Sequence, residues 1–269
     1  MDVIVWNMQH RETNWALLRP GNELAADIHL LCEATAPPRD IPAIGQWRTI
    51  GLADALPLDR PVKREWSTAV AARSRPTFVT DARRAREYKD RPLLPFKPSR
   101  QGTWTAARVK IGRLTVTAIA LYGLLDEKSD ASVHRSLSEI SPLFDHRVYG
   151  RHLFLGGDLN IFANPRPDDR ARERHLSVLT RLEAYGLVNC LDGFKRPLKD
   201  AREDPCPCGA VGCRRHWRTF RKTVSAPGPA YQEDFLFASR AMAAIPRECS
   251  VLEFQPSSDH APVRTTFAI

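Results

Sequence analysis

Between Leu153 and Ile161 the chain reads LFLGGDLNI, an apolar run and two glycines followed by Asp158 and Asn160 with one residue between them. At the end of a buried strand, Asp158 can polarise an attacking water. Asn160 can donate to a phosphate oxygen or fix the nucleophile. Other polar residues stand at comparable places: Asn7 follows VIVW, Glu33 ends IHLLC, Tyr122 ends TVTAIAL, Asp234 opens DFLFAS, and Asp259 and His260 precede the last apolar run. Taken singly each is ordinary, since a Glu at a strand end commonly faces solvent and an Asp-x-Asn is commonly a turn. Together they supply what phosphate-ester hydrolysis needs. Glu33 and Asn7 are hard oxygen donors suited to Mg²⁺ or Mn²⁺, and such an ion neutralises charge on phosphorus oxygens. An imidazole held cationic by a carboxylate, His260 with Asp234, aims at the same charge. No serine or cysteine nucleophile is required.

These residues need a scaffold of strands. Residues 2–6, 28–34, 67–73, 103–109, 114–123, 152–157, 234–239, 249–254 and 261–267 read as strands from β-branched content, alternation or short apolar runs. NELAADI (22–28), 131–144 and 172–186 read as helices, with Ser129 or Asp130 as an N-cap and Gly186 at a C′ position. Many strands and few helices, without regular βαβ alternation, argue against a doubly wound parallel sheet. Two sheets packed face to face with helices outside are expected, in one domain spanning 1–269 with an embedded loop insertion at 193–231.

The 269 residues are 43% hydrophobic and 26% charged, enough apolar material for a large core. No apolar run approaches the ~20 residues of a membrane span. MDVIVWN enters a strand-like run without a basic leader, so a soluble, cytoplasmic, monomeric protein with no membrane partner is expected. Net charge is +9 and the pI near 9.5, a balance that favours a polyanionic partner. Residues 83–100 carry seven basic and two acidic residues with three prolines, and RRHWRTFRK (214–222) interleaves five basic residues with two aromatics. Arg100, Arg215, Arg218 and Trp217 are the candidate substrate contacts, suited to a backbone groove with stacked bases. A solvated charged loop and an ordinary strand are the respective alternatives.

Of six cysteines, Cys32, Cys190 and Cys249 lie in apolar surroundings and read as inert core thiols. Cys206, Cys208, Cys213 and His216 fall within eleven residues, CPCGAVGCRRH, and could close on a structural Zn²⁺ with no open position. A reduced thiol loop or a redox pair is the alternative.

The ordered set of motifs resembles the endonuclease/exonuclease/phosphatase superfamily nearly end to end. WN at 6–7 is similar to the first motif, and LLCEA at 30–34 resembles a Leu-Gln-Glu motif with Cys32 in place of Gln. TAIALYG is similar to a strand ending in a phosphate-side Tyr or His. GGDLN at 156–160 resembles a Gly-Asp-x-Asn signature, QEDFLFAS a strand opened by Asp, and SSDHAPV at 257–263 a Ser-Asp-His-x-Pro signature. The resemblance implies a four-layer α/β/β/α sandwich of two mixed, mostly antiparallel sheets, with the site at one mouth. Carried over, Glu33 is the main metal ligand supported by Asn7, with Asp259 a further metal or water ligand. Asp158 orients or deprotonates the water, Asn160 holds the phosphate, His260 contacts a phosphate oxygen under Asp234, and Tyr122 lies on the phosphate or leaving-group side. The implied activity is that of a metal-dependent phosphodiesterase, a nuclease on DNA or RNA. A phosphatase on a small or lipid phosphoester and a non-catalytic binding module are the alternatives. Gln9 just past the first motif, AYQED before Asp234, and the missing Cys-Asp-Arg motif of inositol phosphatases separate this chain from particular branches.

Overall fold

The computed structural model describes residues 1–47, 65–79, 96–125, 128–197, 206–222 and 231–269. Most of the basic stretch 83–100, and residues 198–205 and 223–230 within the 193–231 stretch, lie outside them.

Among the described residues, twelve strands form two six-stranded sheets. The first sheet runs in the order β11 (Pro246–Val251), β12 (Val263–Phe267), β1 (Asp2–Asn7), β2 (Ile28–Ala34), β4 (Ser67–Ala72), β3 (Ala43–Gly45). The second runs β5 (Thr77–Phe78), β6 (Trp104–Ile111), β7 (Leu114–Leu121), β8 (Leu153–Asp158), β10 (Asp234–Ser239), β9 (Leu187–Asn189). Each sheet has one parallel pair, β1/β2 and β7/β8, and is otherwise antiparallel.

The period-2 geometry of a strand explains the layering. In β1, Val3 and Val5 face the second sheet and join Leu30, Val70, Val109, Val116, Phe154 and Leu236 in the inter-sheet core. Ile4 and Trp6 point the other way and meet Trp15, Leu18 and Leu24, so a 3-10 helix at Glu12–Leu18 covers the outer face of the first sheet. The outer face of the second sheet is covered by α1 (Ser129–Ile140) and α2 (Arg172–Ala184), whose Val133, Leu137, Val178 and Leu182 pack on Ile119, Leu155, Phe235 and Phe237. The result is the expected four-layer sandwich.

Some local expectations change. NELAADI is a series of turns, not a helix. Pro20-Gly21 precedes it, with Gly21 at φ +85, and Asn22 turns back, its Nδ2 donating to the Ala16 carbonyl at 2.6 Å. The first helix is capped at Lys128 without a side-chain bond, and Ser129 and Asp130 lie inside it. The strand expected at 249–254 spans Pro246–Val251 instead. The 214–222 segment forms no strand and makes only isolated bridges from Phe220 to Tyr231 and His260. Gly186 follows the Tyr185 C-cap of α2 and donates to Glu183 O at 2.8 Å, as expected of C′.

Gly156 and Gly157 show why LFLGGD reads as it does. At this point β8 passes directly over the first sheet. A Cβ on Gly156 would lie 2.5 Å from Val5 Cγ2, and one on Gly157 would lie 1.9 Å from Leu121 O and 2.9 Å from Cys32 Sγ. Gly157 also has φ +153, outside the comfortable range of side-chain-bearing residues. The two glycines let the sheets close, and the next residue, Asp158, emerges where the two meet.

Candidate active site

Asp158 is 1% exposed. Its Oδ1 accepts the Asn160 N–H at 2.8 Å. Its Oδ2 accepts Asn7 Nδ2 at 2.9 Å and Asn160 Nδ2 at 3.2 Å. Asn7 closes β1 and Asp158 closes β8, so this bond spans the two sheets. The Asn7 Oδ1 meanwhile accepts the Gln9 N–H at 2.9 Å, which fixes the amide's orientation.

Asp234 opens β10 opposite Asp158 in register. Its Oδ2 lies 2.8 Å from His260 Nδ1, and the other ring nitrogen of His260 lies 3.7 Å from Asp158 Oδ2 and 3.8 Å from Asp259 Oδ1. The His260 ring packs on Phe220, with centroids 4.9 Å apart. Its backbone is held by Trp6 Nε1, which donates to its carbonyl at 3.1 Å, and by Ser258 Oγ, which accepts its N–H at 3.1 Å and donates to Asn7 O at 2.8 Å. Asp259 is half-buried beside it.

Glu33 sits in a bulge of β2 where register shifts between Leu31 and Ala34. Tyr122 Oη donates to Glu33 Oε1 at 2.7 Å and His10 Nε2 lies 2.9 Å from Oε2. Trp66 braces both partners, stacked on His10 at 5.2 Å and edge-on to Tyr122 at 5.1 Å. Among the described residues the non-glycine positions with positive φ are Gln9, His10, Glu33 and Asn160. Each such left-handed conformation costs about 1–3 kcal/mol, and all four fall at this mouth, so backbone strain is concentrated where the polar groups converge.

The electrostatics follow from burial and crowding. Burial pushes the Asp158 carboxyl up to about 7; the His260 charge opposes that rise, while Asp234 and Glu33 add to it. Burial by itself would lower the His260 imidazole, but the Asp234 and Asp158 carboxylates outweigh it and hold it well above its ordinary value. Burial, then Asp158 and Glu33, raises the Tyr122 phenol. Glu233, 4% exposed, is pushed up by burial and by Asp158.

Asp158, Asp234 and His260 place ligand atoms within 4.8 Å of one another, one of two such clusters among the described residues. The donor set around the mouth is dominated by hard oxygens from Glu33, Asn7 and Asp158, the chemistry of a Mg²⁺ or Mn²⁺ site. Asp234 Oδ1 is buried without a hydrogen-bond partner, and the surplus of carboxylates (Glu33, Asp158, Asp234 and Asp259) over the imidazoles of His10 and His260 is the condition a divalent cation offsets. The residues fit such an ion.

The structure brings Asn7, Glu33, Tyr122, Asp158, Asn160, Asp234, Asp259 and His260 to one mouth between the sheets. Glu33 lies outside the Asp158/Asp234/His260 cluster and meets it through charge and through Tyr122, which shares both environments. Of the proposed substrate contacts, Arg215 is exposed and Arg218 is half-buried with its guanidinium 5.7 Å from the Phe254 ring. Arg100 is half-buried at the turn before β6, its carbonyl accepting from Thr103. Trp217 is 6% exposed in the inter-sheet core, with little surface for a base to stack on. Cys206, Cys208, Cys213 and His216 form the second ligand cluster.

Several site residues had no motif to mark them. His10, Trp66, Thr219 and Phe220 reach the mouth through tertiary packing. Thr219 Oγ1 accepts the N–H groups of both Glu233 and Asp234 at 3.0 Å, and so sets where β10 begins. The backbone strain at Gln9 and His10 is the one local sign of the first pair, and it is invisible in residue types.

No family model matches the sequence, and no curated protein matches it. Solved structures do. An AP endonuclease from Archaeoglobus fulgidus aligns with TM-score 0.60 and 17% identity over 100% of both chains. The 3′ phosphatase NExo from Neisseria, bound to product DNA hairpin, aligns with TM-score 0.57 and 19% identity over 100% of both chains. An endonuclease/exonuclease/phosphatase from Beutenbergia cavernae aligns with TM-score 0.56 and 18% identity over 98% of this chain and 70% of that one. The chain has the two-sheet α/β sandwich fold of endonuclease/exonuclease/phosphatase proteins.

Proposed function

We infer that this chain is a divalent-metal-dependent phosphodiester hydrolase that cuts DNA or RNA. The observation that carries the reading is the Asp234–His260 pair set beside the Asn7–Asp158–Asn160 group at a single strained mouth. Glu33 and Asn7, with Asp259 as a further donor, would hold Mg²⁺ or Mn²⁺. That ion supplies charge neutralisation on the phosphoryl oxygens.

The chain's own residues do the rest. Asp158 orients the attacking water and takes its proton as the oxygen bonds to phosphorus and the ester bond breaks. A carboxyl near 7 is well matched to that transfer at neutral pH. Asn7 keeps Asp158 in place, and Asn160 fixes one side of the water or a phosphoryl oxygen. His260, kept cationic by Asp234, faces the charge that develops on the phosphoryl group. Tyr122 orients Glu33 through its hydroxyl.

The nucleic-acid reading draws on the net charge of +9 and on exposed Arg214, Arg215 and Lys222 along the segment that carries Phe220 to His260. The fold neighbours named for abasic-site cleavage and for a DNA hairpin product support the same substrate class. A phosphatase acting on a terminal phosphate uses the same residues and is favoured by the Neisseria neighbour's description.

The test is a cleavage panel of single- and double-stranded DNA, abasic DNA, 3′-phosphorylated DNA, RNA and small phosphoesters at low salt with Mg²⁺ or Mn²⁺, run beside Asp158→Ala. Strand scission abolished by chelation and by Asp158→Ala supports the nuclease. Release of inorganic phosphate from the 3′-phosphorylated end alone supports the phosphatase. A panel with neither strand scission nor phosphate release from any substrate refutes both.

A further inference from the structure

Cys206, Cys208, Cys213 and His216 lie outside the mouth and play no part in the chemistry above. Their ligand atoms all fall within 4.8 Å of one another. His216 Nδ1 is 3.4 Å from Cys206 Sγ and also 3.4 Å from Cys213 Sγ. A single ring nitrogen offers one hydrogen-bonding site, so hydrogen bonding accounts for one of these contacts and leaves the other unexplained. A shared ion accounts for both, because Zn–S and Zn–N bonds of about 2.3 and 2.0–2.1 Å at a tetrahedral angle put sulfur and nitrogen about 3.5 Å apart.

The surroundings are those of a built site. All four side chains come from one short knuckle, closed by the Gly209 N–H donating to Cys206 O at 3.1 Å with Gly209 at φ +82, where a Cβ would be strained. Asn164 Nδ2 donates to Cys206 Sγ at 3.2 Å, the kind of outer hydrogen bond that supports a thiolate ligand. Cys206 is buried while Cys208, Cys213 and His216 are half-buried. The cysteines are all unpaired thiols.

The cluster is also wired to the mouth by a continuous chain of bonds. The same Asn164 accepts the Gln232 N–H at 3.2 Å through its Oδ1. Gln232 Oε1 in turn accepts the Trp217 N–H at 3.0 Å, one residue past His216. Two residues further, Thr219 holds the N–H groups of Glu233 and Asp234, its N–H donates to Tyr231 O at 2.9 Å, and its carbonyl accepts the Ala261 N–H at 2.7 Å. Arg221 N–H donates to Asp259 O at 3.1 Å. Residues 217–221 therefore bridge the start of β10 to the loop that carries His260, and the knuckle anchors their N-terminal end.

We propose that Cys206, Cys208, Cys213 and His216 bind one structural Zn²⁺, and that this ion clamps the 217–221 bridge that aligns Asp234 with His260. Binding displaces the remaining thiol protons to solvent and involves no redox step. The ion has four protein ligands and no open position, so it takes no part in phosphoester chemistry.

The test uses the full chain, purified reduced. Elemental analysis is expected to find about one zinc per chain, and replacement by Co²⁺ to give the thiolate charge-transfer and tetrahedral ligand-field bands. Cys213→Ser with His216→Ala is expected to lower zinc affinity by at least about 10–100-fold. On wild-type protein, zinc removal with a chelator is expected to speed hydrogen exchange at the amides of Thr219, Glu233, Asp234 and Ala261, while the β1 amides keep their protection. That readout does not depend on activity, so it stands whether or not the cleavage panel succeeds. Failure of the reduced wild type to take up zinc or cobalt overturns the metal site. Zinc bound with no change of exchange on its removal overturns the clamp.

Discussion

Asp234 Oδ2 and His260 Nδ1 lie 2.8 Å apart, with Asp234 on the second sheet and His260 on the approach to β12 of the first. The pair exists only when the sheets are correctly opposed, so each half of the fold supplies half of one ion pair.

Asp234→Asn keeps the shape but removes the charge that raises the imidazole. The turnover number is expected to fall about 10²–10⁴-fold. Activity that needs the imidazolium is lost as pH rises through its pKa, so the alkaline limb of the pH–rate profile moves to lower pH in the variant. An unmoved alkaline limb would show that His260 does not act as a cation.

Stability and pH are coupled through the same crowding. Asp158 holds its proton to about 7 when folded against 3.8 ordinarily, so through the intervening range the unfolded chain binds fewer protons and stability falls as pH rises. His260, raised above 6.5, contributes stability that is complete below 6.5 and is lost as pH climbs toward its folded pKa. Both shifts act in the same direction. A divalent cation prefers the deprotonated site, so the rise in melting temperature produced by Mg²⁺ is expected to be larger at about pH 8 than at about pH 5. Differential scanning calorimetry checks this; equal rises at both pH values would refute it.

Glu33 and Tyr122 are separable. Tyr122→Phe removes a 2.7 Å bond to Glu33 Oε1 and leaves the ring packed on Trp66. It is expected to raise the Mg²⁺ concentration for half-maximal activity about tenfold. Glu33→Ala is expected to raise it further. A Tyr122→Phe effect larger than that of Glu33→Ala would place the phenol on the substrate and not on the ligand.

Gly157→Ala is expected to destabilise the protein by about 3 kcal/mol or more, from overpacking added to a backbone that disfavours a side chain. Its new methyl would lie 1.9 Å from Leu121 O. Gly193→Ala, with nothing within 4 Å of its Cβ, is expected to stay within about 0.5 kcal/mol of the parent. Urea unfolding of both variants compares them directly.

The sheet positions and the mouth were legible because strand-end residues sit beside strong apolar runs: Asn7, Asp158 and Asp234 each adjoin a run whose pattern admits little but a buried strand. NELAADI misled because its helix-like composition is outweighed by a preceding Pro-Gly and by the Asn22 side chain folding back on Ala16. Trp217 looked like a stacking aromatic because local sequence cannot show which way a side chain points in a segment without regular structure, and here it points into the core. Thr219 was illegible for a different reason. Its partners Glu233 and Asp234 lie on another segment, brought to it by tertiary contacts that include the bridges from Phe220 to Tyr231 and His260 and the bond from the Thr219 N–H to Tyr231 O.

Cys32 adds a consequence of its own. Its thiol is completely buried directly behind Asp158, donating to Leu121 O at 3.3 Å and accepting the Asp158 N–H at 3.3 Å, and burial makes it a poor nucleophile. A labelling reagent can reach it only when the layers part. The rate at which Cys32 is alkylated in otherwise native buffer therefore times the opening of the sandwich at its reactive end, and substrate or cation that holds the layers together should slow that clock.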